Sequence, residues 1–177
     1  YNPDSRLDNP ALAGGAILDV GVYPVSLARL VAGAAQGLPF AEPLEIQGVG
    51  SLGPLGVDET AYALLQFDQG ITASCATSIR RAMDNSATII GSKGRIRLPN
   101  PWIPGRDTGP SDAIIEIEVA GQKCVEHLKD SRILFAHEAE LASCAILDGR
   151  TEAPSPAPKL SDSVGNARVI ATWREAT

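Results

Sequence analysis

Thr60-Ala61-Tyr62-Ala63-Leu64-Leu65-Gln66-Phe67 runs into Asp68-Gln69-Gly70 and then Ile71-Thr72-Ala73-Ser74-Cys75-Ala76-Thr77-Ser78-Ile79. Thr60, Tyr62, Leu64 and Gln66 alternate with Ala61, Ala63, Leu65 and Phe67. A period of two is that of a strand with two distinct faces. Asp68-Gln69-Gly70 has turn chemistry, and the alternation resumes over 71–79. Two alternating runs joined by a tight turn predict a β-hairpin. Both faces of its first strand are apolar, Ala61, Ala63, Leu65 and Phe67 on one and Tyr62 and Leu64 on the other. One face belongs to the core, and the second implies a further covering surface.

The same period extends outward. Residues 44–49 alternate, and residues 86–90 and 95–98 flank Ser92-Lys93-Gly94 as a second hairpin. Residues 113–119 and 122–128 flank a turn at Gly121. Residues 99–110 form a Pro/Gly loop holding Trp102. Helical signals sit at both ends. Asn9 or Asp8 is positioned to cap a short turn with Pro10 at its first position. Residues 16–32 are apolar nearly all round, as in a buried helix, with Pro24 predicting a kink and Gly33 a stop. Leu134, Glu138, Leu141 and Ala145 keep helical spacing up to Gly149. After prolines 154, 156 and 158, a last helix runs to Trp173 with Ser161 as its expected cap. Helix, several antiparallel strands, then two helices define an α+β class. The expected architecture is a mostly antiparallel open sheet with helices on one face, over a single domain spanning 1–177.

The 177 residues are 44% hydrophobic and 20% charged, which suits a globular domain with its own core. The formal charge of −6 comes without any basic stretch, which argues against nucleic acid as a partner. The longest apolar run is broken by Gly14, Gly15, Asp19, Gly21 and Pro24, which argues against a membrane span. Cys75, Cys124 and Cys144 are an odd, scattered set, read as buried thiols in a reducing, cytoplasmic setting. His127 and His137 lack a ligand-spaced partner, so no metal is expected. Tyr1-Asn2-Pro3-Asp4 is loop chemistry with no element ahead of it, as if the chain began inside a longer protein.

Gly48-Val49-Gly50-Ser51-Leu52-Gly53 matches the dinucleotide fingerprint, with Asp68 about twenty residues on. That fingerprint must open a helix so that backbone N–H groups face the pyrophosphate. Here Pro54-Leu55-Gly56-Val57 and a period-two strand follow instead. The expectation is a glycine-rich strand end, not a Rossmann turn.

Chemistry concentrates at Gly14-Gly15-Ala16-Ile17-Leu18-Asp19-Val20-Gly21-Val22-Tyr23-Pro24. Asp19, Tyr23 and Ser26 stand at i, i+4 and i+7, so helical geometry puts them on one face of an otherwise apolar segment. Burying such groups unpaired is costly. Either Asp19 is held by backbone or by Arg6 or Arg29 for structure alone, or the pair forms a small active site. In the second case the Tyr23 phenol exchanges a proton with a hydroxyl or carbonyl oxygen during hydride transfer. Gly14, Gly15 and Gly21 allow another group to come close to the helix.

The run from Arg6 to Pro24, with its Gly-Gly-x-x-x-Asp-x-Gly-x-Tyr core, resembles the start of the C-terminal domain of the glucose–fructose oxidoreductase / inositol dehydrogenase / MocA family. It looks most like the dihydrodiol and xylose dehydrogenase branch, which carries Tyr where inositol dehydrogenases carry His. Val57-Asp58-Glu59, Phe67-Asp68-Gln69-Gly70, Gly91-Ser92-Lys93-Gly94, Phe135-Ala136-His137-Glu138 and residues 162–168 continue the resemblance over nearly the whole chain. The resemblance implies an N-terminal Rossmann domain that binds NAD or NADP and is not part of this chain. It also implies a homodimer through the sheet, and a polyol or sugar substrate oxidised at a CH–OH group. It makes Asp19 and Tyr23 the catalytic pair, with the cofactor approaching at Gly14 and Gly15. The family's Glu-Lys-Pro lysine does not occur here, so this chain alone is expected to be inactive. The resemblance also implies that the first strand of the sheet, which precedes residues 2–6 in relatives, is absent here, leaving an edge open.

Arg6 and Trp102 are the candidate substrate-binding residues, each balanced by a plain alternative: a solvated loop arginine, and a tryptophan packing its own loop. His137 and the nearby Glu138 and Glu140 read as a solvated helix face. The rival to the enzyme reading is a non-catalytic oligomerisation or sensory module of the same family; keeping both Asp19 and Tyr23 favours the enzyme.

Overall fold

The structure, a computed structural model, describes residues 2–106, 109–154 and 157–177. Tyr1, residues 107 and 108 of the expected 99–110 loop, and Pro156 of the proline connector lie outside the described residues. The helices are α1 (Ala16–Val20), α2 (Val22–Gln36), α3 (Leu134–Leu147) and α4 (Leu160–Glu175). The strands are β1 (Glu45–Leu52), β2 (Asp58–Gln66), β3 (Thr72–Ser78), β4 (Ala87–Gly91), β5 (Gly94–Leu98), β6 (Ser111–Val119) and β7 (Gln122–Asp130). The class is α+β, as the sequence implies. The strands form two antiparallel sheets, ordered β1-β2-β3 and β4-β5-β6-β7, in two compact units, Tyr1–Met83 with Pro158–Thr177 and Asp84–Ala157.

In the first unit Asn9 caps the turn Pro10–Leu12, its Oδ1 accepting from the Ala11 N–H at 2.9 Å. The helical stretch then breaks at Gly21 and bends by 41°. The sequence placed the break at Pro24. Restarting at Val22 puts Pro24 in the first turn of α2, where an N–H has no intrahelical partner to lose. Gly33 does not stop the helix. A Cβ there would sit 2.6 Å from Phe40 Cα, so Gly33 is a packing point, and the stop is left-handed Gly37. At the far end Lys159, not Ser161, is the N-cap of α4. The Asp162 carboxylate reaches back to accept from the Lys159 N–H at 3.0 Å, which starts the helix two residues earlier.

Alternation along β2 sorts its side chains as expected. Ala61, Ala63, Leu65 and Phe67 join Ile17, Val25, Ala32, Cys75, Val169, Ile170 and Trp173 in one core between the sheet and α1, α2 and α4. Trp173 is fully buried and its indole N–H donates to the Tyr62 carbonyl at 3.1 Å. The apparent dinucleotide fingerprint lies within β1 and at its end. Its Gly48 gives Trp173 room, since a Cβ would be 3.0 Å from the indole Cδ1. The opposite face pairs Val49 with Tyr62 and Ala76, and Gln47 with Leu64 and Ser74. It carries a shallow depression of about 460 Å³, and Val49, Tyr62 and Leu64 are exposed there.

In the second unit the sheet is a meander. Ala120 and Gly121, with φ of 50° and 78°, close the β6–β7 hairpin as a primed turn matched to strand twist. Arg95 pairs with Glu118, and Arg97 with Glu116, across β5 and β6. Among the described residues of this unit, the one buried apolar side chain is Ala145 on α3. The two cysteines here correct the expectation of buried thiols. Cys124 on β7 and Cys144 on α3 are exposed because neither element is covered, whereas Cys75 lies in the first unit's core. Among the described residues no single helix is long and apolar enough to cross a membrane.

Candidate functional site

The site is built where the loop ahead of α1 folds back on it. The Gly14 N–H donates to the Asn9 carbonyl at 3.0 Å, and the Gly15 N–H to the Leu7 carbonyl at 2.9 Å. A Cβ on Gly14 would meet the carbonyl oxygens of Arg6, Leu7 and Asn9 within 3 Å, so only glycine lets the loop close here. Gly15 stands at φ +117°, and its missing side chain leaves room for the Asp58 carboxylate of β2. That carboxylate replaces the cap Gly15 cannot supply: Asp58 Oδ2 accepts from the Ile17 N–H at 2.7 Å. Burial pushes the Asp58 carboxyl above its usual range, and the hydrogen bonds from backbone N–H groups oppose that shift.

This folding places Arg6 against Asp19. Arg6 Nη1 and Asp19 Oδ1 are 2.7 Å apart, with the Asp19 side chain largely covered and Arg6 largely in solvent. Of the two arginines the sequence offered to Asp19, the structure selects Arg6. Arg29 is buried instead, donating to Glu42, to Asn166 Oδ1 at 2.6 Å and to the Asp162 carbonyl at 2.8 Å. Tyr23 is the second residue of α2, just past the bend at Gly21, and is half-exposed. The arrangement offers an accessible phenol on the same short segment as a carboxylate neutralised by a guanidinium. A phenol so placed can give a proton to, or take one from, a ligand oxygen, while the ion pair offers both hydrogen-bond donors and acceptors.

Three residues hold this loop in ways the sequence does not announce, Asp8 being a candidate there only for the cap that Asn9 supplies. Arg80 bonds Glu59 Oε1 at 2.9 Å and the buried Asp8, whose other oxygen accepts from the Asn2 N–H at 3.3 Å. Asp58 is the third. The Arg80–Asp8 and Asp58–Ile17 contacts have no local signal, since these partners lie far apart along the chain. The unusual Gly-Gly at a helix start was the available hint that a remote side chain serves as the cap. Trp102 belongs to the second unit, between β5 and β6, and is partly buried.

The described residues make no dinucleotide cradle. The fingerprint glycines are in and just beyond β1, and the N–H groups of Gly14 and Gly15 are taken by the chain's own carbonyls.

Residues 1–97 match the GFO/IDH/MocA C-terminal domain, so the chain belongs to that oxidoreductase family. An uncharacterised oxidoreductase of Rhizobium meliloti, ORF334, is 30% identical over 96% of this chain and 48% of its own length. The trans-1,2-dihydrobenzene-1,2-diol dehydrogenase of Homo sapiens is 38% identical over 56% of this chain and 28% of its own. The crystal structure of KijD10, a 3-ketoreductase from Actinomadura kijaniata in complex with NADP and TDP-benzene, superimposes with a TM-score of 0.74. It is 25% identical, and the match covers 99% of this chain and 50% of that one. The chain spans about half the length of these relatives, or less. NAD or NADP is the cofactor of this family.

Proposed function

We propose that the chain is the substrate-side half of an NAD(P)-dependent oxidoreductase acting on a CH–OH group of a vicinal diol or sugar. The observation that carries the reading is a half-exposed Tyr23 four residues on from the Asp19–Arg6 pair, on a segment otherwise packed into the core. The relative named for a dihydrodiol supports the substrate class. A bound nicotinamide would supply or accept the hydride, and the residues of this chain handle the proton. Tyr23 takes the hydroxyl proton as the alcohol becomes a carbonyl and returns it in the reverse direction. Asp19 orients the substrate by accepting from a neighbouring hydroxyl, and Arg6 holds the Asp19 carboxylate in place. Gly14 and Gly15 are our candidates for the edge that the cofactor approaches. This chain alone, without a cofactor-binding domain, is expected to be inactive. We place the protein in the cytoplasm, where exposed free thiols such as Cys124 and Cys144 persist.

The sheet face bearing Val49, Tyr62 and Leu64 supports a homodimer through that face, because exposed apolar clusters of this kind mark interfaces. Light scattering on the complete protein should give a dimer, and Leu64→Lys a monomer. A wild-type monomer at high concentration contradicts the assignment.

The direct test is to follow nicotinamide reduction by the complete protein across pentoses, hexoses and dihydrodiols with both cofactors. Turnover with any of them supports the reading. Cofactor binding without turnover across a broad panel favours a non-catalytic module.

A further inference from the structure

We propose that Asp58 is a positioning residue for the Asp19–Tyr23 segment, capping α1 from the neighbouring sheet and so setting where both side chains stand. The inference rests on the proposed role of Tyr23. Helix α1 has five residues, too short to hold its geometry by its own hydrogen bonds. Its N-cap is a glycine with no side chain to offer. The sheet supplies what is missing at two points of the first turn. Asp58 Oδ2 accepts from the Ile17 N–H at 2.7 Å, and the buried Thr77 hydroxyl on β3 donates to the Ala16 carbonyl at 3.1 Å. The segment carrying Asp19 and leading to Tyr23 is thereby fixed to the two strands β2 and β3.

The way Asp58 comes to be there is unusual for a strand residue. Strict alternation puts it on the face of Tyr62 and Leu64. The β1–β2 pairing slips between Ser51 and Leu52, the partner of Asp58, and Asp58 is buried beside α1 instead. Such irregularities re-aim side chains. Burying a carboxylate is costly, and a hydroxyl would serve as a cap with less desolvation. A carboxylate offers more: it makes a stronger, charge-assisted bond that narrows the freedom of the first turn. Small displacements of a proton-transfer group are felt in turnover, so a cap acting through Tyr23 is read in kcat.

The test uses the complete protein with Asp58→Ala, Asp58→Asn, Tyr23→Phe and the Asp58→Ala/Tyr23→Phe double variant. Asp58→Ala is expected to lower kcat roughly tenfold per folded molecule while leaving cofactor KM unchanged. Asp58→Asn keeps an acceptor oxygen and should recover most of the loss. In the double variant the Asp58→Ala loss should largely vanish, because the residue it acts through is already gone. Unchanged kcat in Asp58→Ala, or losses that simply multiply, overturns the inference. Should Asp58→Ala fail to fold, Thr77→Val carries the same expectations. Without reference to any substrate, amide exchange over 16–24 should rise in Asp58→Ala while that of β2 and β3 stays put, and unchanged exchange there overturns the cap. Tyr23→Phe separates the two levels. If it lowers turnover and Asp58→Ala does not, this inference alone falls; if it leaves turnover unchanged, the reading of Tyr23 falls and this one with it.

Discussion

The two units differ in make-up, three helices and three strands against one helix and four strands, and they differ more in burial. The first closes three helices over one face of a three-stranded sheet and hides Trp173, Phe67, Leu65 and Ile17 almost completely. The second holds one helix and a four-stranded meander, and Ile90, Val125, Leu128, Phe135, Ile146 and Leu147 remain exposed. Hydrophobic burial is the main favourable contribution to folding, so the first unit has the means to stabilise itself. The second holds together through backbone ladders and surface ion pairs, and ion pairs of that kind contribute little each. The proposed proton-handling site sits in the unit with the rigid core, as a site that must be held in place requires.

The largest effect that would sharpen this contrast is Trp173→Ala. It should destabilise the first unit by about 3–5 kcal/mol, read by urea denaturation followed by circular dichroism. Next is Arg29→Met, which leaves the Asn166 side chain and the Asp162 carbonyl without their donor. A loss of about 2–3 kcal/mol is expected. In the second unit Ile146→Ala should stay within about 0.5 kcal/mol of wild type in the isolated chain. A loss comparable to that of Trp173→Ala would break the contrast. The smallest effects are in the pH dependence. Arg132 holds the Asp130 carboxyl below its usual range, so its contribution is present above about pH 4 and is lost as pH falls further. Asp130→Asn should therefore soften the acid limb of the stability curve. Asp58 is raised by burial, so its folded state binds a proton more tightly and its contribution grows on acidification. Asp58→Asn should steepen the acid limb, which urea melts between about pH 3 and pH 7 would show.

Much of this contrast could be read from residue order, and the rest depends on distance in space. The hairpins at 60–79 and 86–98 were legible because period-two alternation and turn residues are local signals. Their division into two sheets was not, because nothing within β3 or β4 says which strand lies beside it. Pro24 announced an interrupted helix correctly, but the break moved to Gly21, which lets the proline fall in a first turn. Asp19 was visible as a polar residue on an apolar helix, while its partner stayed open between Arg6 and Arg29 until the loop closed over Gly14. The burial of Asp58 and Asp8 carried no signal, since a buried carboxylate in a strand or loop is explained only by the backbone and side chains that meet it. Cys124 and Cys144 looked like core residues because apolar neighbours usually mean burial, and in the second unit they do not.

The account turns on Tyr23. In the complete protein, Tyr23→Phe should lower turnover by roughly tenfold or more while leaving the thermal melt unchanged, since the phenol oxygen serves the proton and not the core. Undiminished turnover in a folded Tyr23→Phe enzyme would contradict it.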